Sequence, residues 1–122
     1  MSNRNLDYLP ALPLGYNDLA SLRSIIRASI TYTRRVSHIT RERDEQMHLL
    51  ENLYLRLTTI PLSTVEIHVL LNVVEIYALN STLLGFMSFV RKKVTPSPER
   101  DETLRDVERL RKALLKMLSA NL

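Results

Sequence analysis

Between Pro61 and Pro96 runs a stretch that is apolar in every direction. Val65, Ile67, Val69, Leu70, Leu71, Val73, Val74, Ile76, Leu79, Leu83, Leu84, Phe86, Met87, Phe89 and Val90 crowd into it without an intervening proline. Wound as a helix at about 100° per residue, these side chains point all round the axis. A helix that is hydrophobic on all sides is either enclosed by protein or lies in lipid. The spacing predicts a helix over 64–93, about 45 Å long, which two neighbours from one short chain cannot cover along its full circumference. A second copy of the chain is the simplest cover. Val69, Val73, Val74, Ile76, Leu83, Phe86 and Phe89 are the candidate interface residues.

Prolines at 10, 13, 61, 96 and 98 divide the rest into proline-free runs, 14–60, 62–95 and 99–122. With only Gly15 and Gly85, and no Asn-Gly or Asp-Gly pair, tight β-hairpin turns have no residues to make them. The chain therefore reads as all-α: a long helical hairpin plus a third C-terminal helix, an antiparallel bundle completed by oligomerisation. Its 122 residues suit one domain, assigned to 17–122, preceded by an extended apolar arm over 1–16 carrying Leu6, Tyr8, Leu9, Leu12 and Leu14. Cysteine is absent, which excludes disulfide scaffolds and thiol chemistry. With no basic-then-apolar leader at the start, the expected setting is cytoplasmic or otherwise intracellular.

In the first run Ile25, Ala28, Tyr32, Val36, Ile39, Met47, Leu50, Leu53, Tyr54 and Leu57 recur at three- and four-residue steps, an amphipathic pattern predicting one continuous helix from 17 to 59. Asn17 or Asp18 is its expected cap. Ser63-Thr64-Val65-Glu66 matches a capping box for the second helix. Folding the two about Pro61 brings Glu75 level with His48, and Asn80 level with Arg43. Ser97 and Pro98 open the third helix, whose apolar stripe is Leu104, Val107, Leu110, Leu114, Met117 and Leu118.

Polar groups inside the apolar run weigh against lipid. His68, Asn72, Glu75 and Asn80 fall within it, and a charge near a bilayer centre costs roughly 2.5–3.5 kcal/mol. His68, Asn72, Glu75 and Thr82 share one narrow face, with His68, Asn72 and Glu75 as a candidate polar layer fixing register between helices. A membrane partner is accordingly not expected.

Net charge is +4, and residues 19–41 hold five arginines and no acid. On one helix Arg23, Arg27, Arg34 and Arg41 form a ridge suited to nucleic-acid phosphates or an acidic partner. The second reading is therefore a small basic subunit of a nucleoprotein complex. Glu45-Gln46-Met47-His48 has the Glu-x-x-His spacing of di-iron bundles, but those sites need a second copy and two more glutamates. His38 with Glu42 is a similar lone pair. No metal, cofactor or catalytic residue is expected, and the chain reads as a non-enzymatic assembly protein.

Arg43-Asp44-Glu45-Gln46-Met47-His48 resembles the Arg-x4-His element of HEPN-type ribonucleases, helical bundles with an active site assembled across a dimer. The resemblance covers these residues alone. It implies a third reading, RNA cleavage with Arg43 on phosphate and His48 as proton shuttle.

Overall fold

A computed structural model describes residues 12–36, 38, 40–61 and 66–120. Among them the order is β1 (Leu12–Leu14), α1 (Tyr16–Val36), α2 (Arg41–Thr58), β2 (Ile67–Val69), α3 (Val73–Lys93) and α4 (Pro98–Ala120). About 80% of these residues are helical, and β1 pairs with β2 in a two-stranded sheet. The predominantly helical reading is correct; the small sheet was not anticipated. Two compact units divide the molecule, one being Pro13–Val69 and the other holding the remaining described residues.

In the first unit α1 packs on α2. The expected continuous helix over 17–59 is corrected: it breaks after Val36 and restarts at Arg41, so the hairpin turns there and not at Pro61. Thr40 is the reason for the restart. Its backbone is extended, and its Oγ1 accepts from the Arg43 amide at 3.1 Å, a cap that competes with helix continuation. Folding back also lets two apolar faces cover each other, which one straight rod of that length cannot do.

The buried face of α1 is Leu19, Leu22, Ile25, Ile26 and Ile30, against Met47, Leu50, Leu53 and Leu57 of α2. The stripe predicted through Ala28, Tyr32 and Val36 is corrected accordingly, for all three are exposed. Arg23 closes the free end of α2. Its Nε donates to the Leu57 carbonyl at 3.0 Å and its Nη2 to the carbonyls of Leu57 and Ile60. The last carbonyls of a helix have no intrahelical partner, so a forked donor suits this place. Gly15, not Asn17 or Asp18, flanks the start of α1, its carbonyl accepting from Leu19 at 3.0 Å.

In the second unit α3 packs on α4, joined by residues 94–97. The second helix starts nine residues later than the predicted 64, because residues 67–69 are strand. Ile67 and Val69 flank His68 in the alternation that suits a strand, with Val69 buried and His68 exposed. The helix is opened by a different capping box. Asn72 Oδ1 accepts from the Glu75 amide at 2.8 Å, and Glu75 Oε1 accepts from the Asn72 amide at 3.0 Å. Residues 63–65 of the expected box lie outside the described residues. α4 begins as predicted, with Ser97 Oγ accepting from the Arg100 amide at 3.1 Å and Pro98 as first helical residue. Val107, Leu110, Leu114 and Met117 are buried.

Candidate binding surfaces

The all-round apolar helix resolves into two halves. Glu75, Ile76, Leu79, Thr82, Leu83, Met87 and Val90 are buried. The opposite side carries Val74, Tyr77, Leu84 and Phe89, exposed by 57, 58, 44 and 44%. Between them lie the small residues Ala78, Ser81, Gly85 and Ser88, and at about 100° per residue Tyr77, Ala78, Ser81, Gly85, Ser88 and Phe89 share an arc of about 120°. A Cβ added at Gly85 would meet nothing within 4 Å. The face is thus a shallow trough of small side chains with an aromatic ring at each end.

The interface candidates divide along the same line. Val69, Ile76 and Leu83 belong to the buried set, so the prediction that they face another chain is corrected: they are already enclosed within one copy. Val73 and Phe86 are half-buried, and Val74 and Phe89 are exposed. Leu84 and Tyr77, on the open side, were not among the interface candidates, because a helix apolar all round gives no marker of which half turns inward.

The proposed polar layer dissolves for a local reason. His68 sits on β2, 3.9 Å from Glu66, while Asn72 and Glu75 are engaged in the cap that starts α3. Thr82, inside the buried half, donates to the Ala78 carbonyl at 2.9 Å.

The arginine ridge is also rearranged. Arg41 belongs to α2 and pairs with Glu45 at 3.1 Å. Arg23 is spent on the end of α2, and Arg34 forms an ion pair with Glu51. Arg27 stays on an open face of α1 and is joined there by Arg35. Ser24, Arg27, Ala28, Thr31, Tyr32 and Arg35 line one shallow depression, with Tyr32 53% exposed.

A third surface lies between α3 and α4. Met87 and Leu104 give it an apolar lining, and Arg91, Arg105, Arg109 and Lys112 surround them. Glu108 is the one acid in this lining, and Arg111 holds it, at 2.9 Å through Nε and 2.5 Å through Nη2. That hydrogen bonding pulls the Glu108 carboxyl below its ordinary value, against a partial opposing effect of burial, and the nearby charges of Arg111, Lys112 and Arg91 add to the fall. Arg109 lies 3.6 Å from Asp106.

The residues weighed for catalysis do not converge within one copy. Arg43 and His48 are five positions apart on α2, which turns them about 140° from each other. Arg43 is largely enclosed, its Nε buried without a hydrogen-bond partner, whereas His48 faces solvent. Among the described residues no group of three or more His, Asp or Glu side chains is placed to hold a metal ion. No protein-family model, curated protein or solved structure matches the chain, so its surfaces alone carry the functional reading.

Proposed function

We propose that the chain is a helical assembly protein whose α3 face packs against the same face of a second copy, antiparallel. The supporting observation is a near-palindrome on the exposed side of α3. About a centre at residue 83, Tyr77 is matched by Phe89, Ala78 by Ser88 and Ser81 by Gly85. A two-fold interface sets residue i against j and j against i, so an antiparallel pair brings Tyr77 of one copy level with Phe89 of the other at both ends and the small residues level with each other in the middle. Small side chains at the crossing let two helix backbones approach closely. At the margin Val74 meets Lys92 of the other copy, whose methylene stem covers apolar surface while its ammonium stays in water.

Magnitude sets the expected strength. One face about 31 Å long and about 10 Å wide offers about 300 Å² per copy, below the ~800 Å² per partner of a standard interface. The association is accordingly weak to moderate and visible as concentration dependence.

α3 is also the one helix among the described residues long and apolar enough to cross a membrane. Its buried half and its capped N-terminus favour the reading in which it belongs to a folded unit.

Sedimentation equilibrium of the full chain and of Gly85→Glu tests the proposal. The open space at Gly85 leaves the fold of one copy intact while a carboxylate enters the crossing. A monomer–dimer equilibrium in the native chain, lost in Gly85→Glu with unchanged helix content, is expected. A monomer at all concentrations, or partition of the chain into lipid vesicles, overturns the reading.

A further inference from the structure

The outer face of α1 carries a second pattern, independent of α3. Ser24, Arg27, Ala28, Thr31, Tyr32 and Arg35 stand at i, i+3, i+4, i+7, i+8 and i+11, one straight stripe opposite the buried face. Arg27 and Arg35 bracket the Tyr32 ring about 12 Å apart along the axis. Their neighbours on the chain are neutralised or used: Arg34 by Glu51, Arg23 by backbone carbonyls. Among the described residues the guanidinium groups of Arg27 and Arg35 have no hydrogen-bond or ion-pair partner. No acid occurs in the sequence between residues 19 and 41.

Two unneutralised guanidinium groups invite phosphates, and Arg offers the planar fork that phosphate oxygens match. The half-exposed ring between them adds a face on which a base can stack. Stacking needs a base free of its partner strand, so the combination favours a single strand over a duplex. An acidic peptide would use the arginines and leave the ring idle.

We propose that this face of α1 binds single-stranded nucleic acid without strong sequence preference, Arg27 and Arg35 holding phosphates and Tyr32 stacking on a base. Thr31 is committed elsewhere, its Oγ1 donating to the Arg27 carbonyl at 3.0 Å. The Ser24 hydroxyl is placed to donate to a phosphate or sugar oxygen.

The test is fluorescence anisotropy of the full chain with labelled oligo-uridylate and oligo-thymidylate strands of about 20 nucleotides, longer than one site of this kind needs. A duplex of equal length and a poly-glutamate peptide serve as competitors. Expected is single-strand binding at low salt that weakens as salt rises. Replacing both Arg27 and Arg35 with alanine reduces the slope of log affinity against log salt by about 1.4, since each phosphate contact contributes ~0.7 for single strands. Tyr32→Ala weakens binding about tenfold, while Tyr32→Trp keeps it, because stacking and not the hydroxyl carries the effect. All three side chains are exposed, so the variants fold, and circular dichroism confirms it.

Absence of binding at low salt overturns the proposal. So does tighter binding of the duplex or the peptide, or indifference to Tyr32→Ala. Loss of binding in Arg105→Ala with Lys112→Ala, where Arg27→Ala with Arg35→Ala has no effect, moves the site to the α3–α4 groove and equally refutes it.

Discussion

Arg23 joins the beginning of one helix to the end of another with a single side chain. Its guanidinium donates to the carbonyls of Leu57 and Ile60, and the Leu57 carbonyl also accepts from the Ile60 amide at 3.2 Å. Arg23→Met keeps the alkyl stem and removes the fork, and should cost about 1–3 kcal/mol in urea unfolding through the lost charge-assisted hydrogen bonds to these carbonyls. Arg23→Lys should recover only part of it, a point charge replacing two directed donors. Glu108 yields a pH signature. Arg111 lowers its carboxyl in the folded chain, so the unfolded chain binds the proton more readily in acid. The stabilisation is complete above the ordinary glutamate pKa and is lost as pH falls through the lowered value. Unfolding of native chain and Glu108→Gln compared at neutral pH and in acid should show a difference that shrinks toward low pH; a constant difference contradicts the assigned cause. Arg27 and Arg34 show what is visible at this scale before any fold is known. The absence of acids over 19–41 marked the region as basic, yet nothing local in the sequence told which arginines would find Glu51 or a helix end, since those partners arrive by folding back.

At the scale of elements, helix starts decide the architecture. Thr40 opens α2 and Asn72 opens α3, and each replaced by alanine should cost about 1 kcal/mol. Asn72→Ala should be the larger loss because Glu75, buried, is then left with part of its pairing gone. Denaturant midpoints measure both, and an unchanged midpoint in either variant removes that cap from the account. Two similar signatures stood in the sequence, Ser63 with Glu66 and Asn72 with Glu75. The alternation Ile67-His68-Val69 is what separates them, and it was masked by the helical reading of so many neighbouring apolar residues. Ser97-Pro98 was legible because its competitor was absent: a proline at the first helical position leaves one interpretation. Gly85 sits mid-helix, where glycine is worth about 1 kcal/mol less than alanine. Gly85→Ala should therefore raise the stability of one copy by up to that amount, the added methyl meeting open space. Thermal unfolding at low concentration reads this directly, and a destabilised variant would mean the space around Gly85 is already occupied.

Over the whole molecule, the question is where the apolar surface of α3 goes. Half is used within the chain, and Val74, Tyr77, Leu84 and Phe89 remain open. All-round hydrophobicity announced a surplus; it carried no information on which half was surplus, which depends on where α4 lies. A dimer binds only the folded state, so the melting temperature should rise with protein concentration in the native chain and stay flat in Gly85→Glu. The antiparallel register makes a sharper demand. With no native cysteine, Ala78→Cys with Ser88→Cys introduces two thiols about 15 Å apart on one helix, too far to join within a copy but level with each other across the proposed two-fold. Mild oxidation of the purified double variant, followed by non-reducing electrophoresis, should give a covalent dimer, with much less from either single variant. Monomer alone after oxidation, or dimer formed equally by the single variants, would contradict antiparallel self-association through α3.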